Sequence, residues 1–175
     1  MVIQSSINCL PVVYLMVSYW LMKSEPHVYS FEDLQNDGST HWDGVRNYQA
    51  RNFMRDDMKI GDLVLYYHSN TKPPHVAGIA RVCKEGYPDF TSFDTDSKYF
   101  DEKSTPDNPR WFMVDLEPVE AFGKMVSLQD VKDNVTLQGM LLVRKGQRLS
   151  IQPVLEDEFR EVLAMAGIDF DSLLA

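Results

Sequence analysis

Between Tyr19 and Ala166 the chain is cut into short pieces, in which apolar, β-rich runs of a few residues are mixed with capped helix starts and closed by proline, glycine or polar turn clusters. Tyr19-Trp20-Leu21-Met22-Lys23 has the aromatic and apolar content of a buried strand, and Ser24-Glu25-Pro26 ends it because a proline cannot continue a ladder. Leu63 to His68 and Val76 to Val82 are two further β-rich runs, and the loop between them, with Lys72-Pro73-Pro74, marks a meander of neighbouring strands. Trp111 to Val119 and Leu149 to Val154 add two more strands, the second interrupted by Pro153.

Helix signals fall between these runs. Ser30 followed by Asp33 resembles a capped start before Leu34, and Asn36-Asp37-Gly38-Ser39 stops that helix early. Asn47 caps a second helix through about Met58, and Ser127 a short third one carrying Leu128 and Val131. Leu155 to Ala166 is an amphipathic closing helix stopped by Gly167. From Lys84 to Pro109 the abundance of Asp, Pro, Ser and Gly predicts a long ordered loop, pinned by Tyr87, Phe90, Phe93, Tyr99 and Phe100. No βαβ rhythm, internal repeat or low-complexity tract is present. The pattern predicts an α+β domain whose strands curl into a small barrel with short helices covering its ends.

A length of 175 residues with 44% hydrophobic and 25% charged residues suits one globular domain. The 17 basic against 26 acidic groups, a formal charge of -9, work against a broad electrostatic hold on phosphate backbones and exclude a generic DNA coat protein. Cys9 and Cys83 lie in unlike surroundings, so a disulfide framework is not expected and a reducing compartment is: cytoplasm, or nucleus in a eukaryote. The apolar stretch Ile7 to Val17 lacks a positive flank and is too short to span a bilayer. Residues 1–17 are therefore read as an extension before a domain over 18–175, with Met16 as the natural start and a weak signal sequence as the alternative.

Familiar catalytic patterns are missing. The nine glycines never occur two apart, which leaves no dinucleotide-binding fingerprint, and no P-loop can be written. His27, His41, His68 and His75 have no zinc-site spacing, and the adjacent His68 and Ser69 would point to opposite sides of a strand. Acidic pairs such as Asp56-Asp57 sit in polar stretches where nothing would separate their pKa values. No catalytic set, cofactor or metal is expected.

The run Trp42-Asp43-Gly44-Val45-Arg46-Asn47-Tyr48-Gln49-Ala50-Arg51-Asn52 carries the functional signal. An indole covers a planar ring, and Arg46 and Asn47 supply the directional hydrogen bonds that tell one ring edge from another. Trp20 reads as core. Trp111 fits packing under the long loop as well as ligand contact, and Tyr66 and Tyr67 must face opposite sides of their strand. Arg46 and Arg51 fit pairing with Asp43 or Glu25 as well as binding.

That run, together with Tyr19 to Pro26, Met58-Lys59-Ile60-Gly61-Asp62, Tyr66-Tyr67-His68-Ser69, Val76-Ala77-Gly78-Ile79-Ala80, Tyr87-Pro88-Asp89, Pro109-Arg110-Trp111 and Arg148 to Val154, resembles the EVE domain in order along nearly the whole chain. The resemblance implies a PUA-like pseudo-barrel of about five or six strands, shared with the YTH and ASCH domains. YTH domains bind a methylated adenine in RNA, and EVE relatives are associated with modified cytosines in DNA. The implied partner is thus a modified DNA or RNA base, a 5-substituted cytosine or a methylated adenine. The implied pocket comprises Lys23, Ser24, Trp42, Val45, Arg46, Asn47, His68 and Ser69. In it Trp42 stacks on the base, Val45 touches an added methyl or hydroxymethyl group, and Asn47 with Ser69 bonds the base edge. Lys23, Arg46 and Arg110 would anchor phosphate or orient neighbours, with Arg51 and Arg148 as further backbone contacts; the cluster Arg144, Lys145 and Arg148 otherwise reads as a solvated turn. A small enzyme acting on nucleotides or modified RNA, and a regulatory domain for a small metabolite, are the alternatives. The charge of the rim around Trp42 discriminates among them, a basic rim favouring nucleic acid.

Overall fold

The computed structural model describes residues 17–173; the apolar stretch before Val17 lies outside them. Six strands, β1 (Tyr19–Ser24), β2 (Thr40–His41), β3 (Leu63–His68), β4 (His75–Pro88), β5 (Phe112–Ser127) and β6 (Ile151–Val154), form one sheet in the order β2-β5-β4-β3-β1-β6. β1 and β3 run parallel and every other pair antiparallel. The helices are α1 (Phe31–Asp37), α2 (Tyr48–Asn52), α3 (Leu128–Asp133) and α4 (Glu156–Ala166). This is the predicted α+β, PUA-like arrangement, with the sheet curled but not closed, so that β2 and β6 remain edges. Pro153 sits on edge strand β6 opposite Trp20, where a missing N–H can be tolerated.

Side-chain alternation explains why β1 and β3 are apolar throughout. Tyr19, Leu21, Leu63, Leu65 and Tyr67 enter one core, while Trp20, Met22, Val64 and Tyr66 enter another on the opposite face. The first core is closed by Phe159, Val162, Leu163 and Ala166 of α4, an i, i+3, i+4, i+7 stripe. The second is closed by Phe31 and Leu34 of α1 and by Ala50, Met54 and Met58. Val17, assigned to the extension, packs against the first core.

The caps form as predicted at Ser30, Asn47 and Ser127, and the left-handed Gly38 (φ 77°) and Gly167 (φ 79°) terminate α1 and α4. Four expectations need correction. The helix after Asn47 is α-helical only to Asn52 and continues as a wide π turn over Phe53–Asp57, its Met58 N–H donating to the Phe53 carbonyl at 2.9 Å. β4 extends through Pro88, taking the first residues of the expected loop; it crosses that turn at Gly86, where a Cβ would lie 2.3 Å from the Met54 carbonyl oxygen. β5 runs to Ser127 rather than Val119. Repeated register shifts between β4 and β5 bend both strands, one of them beside Pro118 opposite Ala80, and this blurs the period-two pattern that marks a regular strand. Phe100 (42% exposed) does not pin the loop, and Phe90 (51%) holds it only through an edge-on contact with His41, centroids 5.2 Å apart.

No helix among the described residues is long and apolar enough to cross a membrane.

Candidate functional site

The exit of β1, the turn after β2 and the loop before β5 enclose a cavity of about 780 Å³. From the turn come Trp42 and Val45. Trp42 continues the β2–β5 ladder, its N–H donating to the Val114 carbonyl at 2.8 Å. Its half-buried ring meets Tyr66 edge-on, with centroids 5.4 Å apart and an angle of 87°. Val45 is buried beside it, so the apolar wall of the cavity is continuous with the second core.

Gly44 makes the turn possible twice over. Its φ of 73° is left-handed, and a Cβ there would lie 2.5 Å from the ring of Tyr99. Tyr99 thus lies against the glycine and forms another wall. Arg46 fastens it: Nε donates to the Tyr99 carbonyl at 3.0 Å, a terminal nitrogen donates to the same oxygen, and Nη1 pairs with Asp89 at 2.7 Å. The Asp89 side chain is fully buried and also accepts from the Gly44 N–H, the Thr91 N–H and the Thr91 hydroxyl. Burial pushes the Asp89 carboxyl up, but the bonds from Arg46, Thr91 and Gly44 outweigh it and hold it below the ordinary carboxylate range. Arg46 is therefore committed to the wall, with Asp89 as partner in place of the expected Asp43 or Glu25.

The charged groups lining the cavity are mixed: Lys23, Arg46 and Lys98 against Glu25, Asp37 and Asp43. Glu25 accepts from Asn70 at 2.6 Å and Asp37 from the Tyr29 hydroxyl at 2.8 Å, while the Lys98 ammonium lies 4.8 Å from the centre of the Tyr99 ring. Lys23 and Asp43 differ from these. Neither side chain has a hydrogen-bond or ion-pair partner on another described residue, though His41, Arg46 and a backbone N–H offset part of the cost of the Asp43 charge. Burial lowers the Lys23 ammonium pKa; burial and then the nearby Asp89 charge raise that of Asp43.

Of the predicted pocket residues, Lys23, Ser24, Trp42, Val45 and Arg46 line this cavity and Asn47, His68 and Ser69 do not. The exposed Asn47 is the cap of α2, its side-chain oxygen accepting from the Ala50 N–H at 3.0 Å. His68 is buried behind Tyr66; its Nε2 accepts from the Phe31 N–H at 3.1 Å, and burial with His75 nearby lowers its pKa. The Ser69 hydroxyl donates to the Ser24 carbonyl at 3.2 Å, and that of Ser24 to the Tyr29 carbonyl at 2.6 Å. Arg51, Arg110 and Arg148 also lie outside the lining. Arg51 donates to the Arg110 carbonyl and sits over Tyr48, Arg110 pairs with Asp101 at 3.2 Å, and Arg148 is exposed. Trp20 is core, its indole N–H bonded to buried Asp62 at 2.9 Å, and Trp111 packs under the loop with its N–H on Asp101 at 2.7 Å. Asp43, Lys98 and Tyr99 were missed as lining residues. Only the left-handed bend that Asp43-Gly44 suggests carried a local hint. Among the described residues no group of three His, Cys, Asp or Glu side chains is arranged to hold a metal ion.

A six-stranded PUA-like sheet with an aromatic cavity at the exit of its parallel pair defines the class, and the family model of the EVE domain matches residues 18–165: the chain belongs to the EVE domain family. It is similar to human thymocyte nuclear protein 1, at 42% identity over 167 residues, covering 85% of this chain and 73% of that protein. Among solved structures it resembles a Pseudomonas syringae protein at 44% identity and a TM-score of 0.82, covering 85% of this chain and 99% of that one. It also resembles human thymocyte nuclear protein 1 in complex with 5-methylcytosine containing DNA, at 42% identity and a TM-score of 0.80, covering 87% of this chain and 99% of the other.

Proposed function

We propose that the protein is a non-enzymatic binding module that takes a modified base of DNA, a 5-substituted cytosine, into the cavity beside Trp42. The observation that carries this reading is an aromatic cavity on an EVE fold whose human relative was solved with 5-methylcytosine containing DNA. A volume of about 780 Å³ accommodates a nucleobase with part of its sugar. Trp42 offers a stacking surface, and Val45 a buried apolar contact for a substituent at ring position 5. A base inside a duplex cannot reach such a hollow, so it must be flipped out or come from a single strand.

The rim is evenly mixed rather than basic, with Arg51 and Arg110 outside it, so its charge does not itself favour nucleic acid; with the net charge of -9 it leaves only shallow contact with the backbone, and the reading rests on recognition of the base. Titration of oligonucleotides that differ in one base, cytosine against 5-methylcytosine, at low and moderate salt tests the reading. The methylated strand is expected to bind more tightly at both salts, and unmodified duplex only at about micromolar affinity or weaker. Equal affinity for both strands, or tight duplex binding regardless of methylation, would overturn it.

A further inference from the structure

The lining of the cavity is mixed in charge, but the segments that lead away from it are not. Lys98 and Tyr99 of the loop before β5 form one wall, and between Asp89 and Trp111 that loop carries six acidic residues against three basic ones. At the exit of β1 the lining includes Ser150, whose carbonyl accepts from the Lys23 N–H at 2.9 Å. Ser150 ends the turn that enters β6, and the surrounding residues 134–155 contain Arg144, Lys145 and Arg148 but no Asp or Glu.

This turn is anchored. Leu142 and Leu149 are buried on either side of it, the Gln147 N–H donates to the Arg144 carbonyl at 3.2 Å, and the Gln147 side chain accepts from the Leu149 N–H at 2.9 Å. Gly146, at a left-handed φ of 79°, lets the chain reverse. Arg144, Lys145 and Arg148 are exposed, and none has an ion-pair partner among the described residues; Arg144 donates only to the neutral Gly139 carbonyl, at 3.4 Å. In a chain with 26 acidic and 17 basic groups, three such cations on one turn are a local excess that the fold does not use. Arg148 precedes the lining residue Ser150 by two positions, so their Cα atoms lie within about 7 Å. That places the turn beside a nucleotide seated in the cavity, where its phosphates pass, rather than under its base.

We propose that the turn over residues 144–148 is the backbone-binding surface of the protein: a nucleic-acid strand with one base in the cavity runs its neighbouring phosphates over Arg144, Lys145 and Arg148 and away from the loop before β5. Arginine holds a phosphate by a two-bond fork and lysine as a point charge. A strand leaving over the loop would carry its phosphates past carboxylates; over the turn it meets a segment that has none. The proposal rests on the reading of the cavity as a base pocket and adds the path of the strand outside it. It also reconciles nucleic-acid binding with a charge of -9, because the attraction is confined to one turn while the rest of the surface repels.

The decisive measurement is the salt dependence of binding to a single-stranded oligonucleotide with 5-methylcytosine or cytosine at one central position. The full chain is compared with a triple variant, Arg144→Gln, Lys145→Gln and Arg148→Gln, and with Lys103→Gln on the acidic loop. Each phosphate contact on a single strand contributes about 0.7 to the slope of log affinity against log salt, so the triple variant should lower the slope by about 2. Between 50 and 200 mM salt the full chain should accordingly lose about 15-fold more affinity than the triple variant. The ratio between the 5-methylcytosine and cytosine strands should stay the same in the triple variant, and Lys103→Gln should leave the slope where it was. Arg148→Gln alone, expected to lower the slope by about 0.7, serves as second variant if the triple one fails to fold. An unchanged slope in the folded variants would overturn the proposal and leave the turn to another anionic partner, such as an acidic peptide. An equal drop in Lys103→Gln would overturn it too, as an effect of overall charge. Equal affinity of the full chain for the two strands would overturn the base-pocket reading instead, whatever the slope.

Discussion

The two faces of the sheet are fed by the same strands yet finished differently. On one, Leu21, Leu65 and Ile79 meet Phe159, Val162 and Leu163 of a regular amphipathic helix, and the packing is mainly apolar, with Tyr19 and Tyr67 among it. On the other, Trp20, Met22 and Tyr66 meet five- to seven-residue helices, a π turn and loops, and the aromatic groups carry polar handles: Trp20 to Asp62 and the Tyr66 hydroxyl to the Tyr29 carbonyl at 3.1 Å. The eleven-residue α4 lays one unbroken stripe on its face, and Val131, Leu137, Met140 and Leu142 of shorter pieces fill in beside it. Short, separately anchored pieces leave space between them, and the cavity occupies that space. Trp42 and Val45 belong to the second core and to the cavity at once, so under the proposed function stability and binding should be separable on the first face and entangled on the second.

The largest effect should come from the helical face. Phe159→Ala removes a fully buried ring and should cost about 3 to 5 kcal/mol of stability. Base affinity of the folded fraction should not change; a loss of affinity measured on folded protein would break the separation. On the other face, Arg46→Met leaves the buried Asp89 charge uncompensated, and should cost about 3 kcal/mol. Here affinity should fall together with melting temperature, because the wall made by Tyr99 loosens. The same pair predicts an acid response. Asp89 holds its proton less tightly in the folded chain than in the unfolded one, so its contribution is fully present above pH of about 4 and is lost as pH falls below that through the depressed native value. Denaturant titrations against pH should show a shallower acid limb in Arg46→Met.

Trp42→Ala should cost about 1 to 3 kcal/mol of binding, the usual worth of a base–aromatic stack, with Trp42→Phe recovering part. Loss of stability with unchanged affinity would make Trp42 a core residue only. The smallest effect is expected from Asn47→Ala: loss of its cap costs about 1 kcal/mol of stability while base selectivity holds. A change in selectivity there, read from the cytosine and 5-methylcytosine titrations, would return Asn47 to the site.

The parts of this molecule legible in the sequence are those whose cause is local. The caps at Ser30, Asn47 and Ser127 and the glycine stops are decided within a few residues, and β1 and β3 announce themselves because burial on both faces makes them apolar at every position. The run from Trp42 marked one wall of the cavity. The outer halves of β4 and β5 were not legible, since their pairing depends on register shifts between distant segments. Nor was the role of Arg46, whose partner lies 43 residues away, nor the place of Asp43 on the cavity lining beside Asp89 and His41. Asn47 and Ser69 were drawn into the expected site by polar side chains that the backbone consumes for its own hydrogen bonds.

The seating of Tyr99 on Gly44 bears on speed as well as on affinity. With the ring lodged where a Cβ would stand and its carbonyl held by Arg46, the wall stands formed in the free chain, ready in the proposed role before a base arrives. In the proposed role the slow event then belongs to the nucleic acid. Capture rates should follow how often the target base leaves its stack: highest for a single strand, lower for a mismatch and lowest for a paired base, while the rate of departure stays the same for all three.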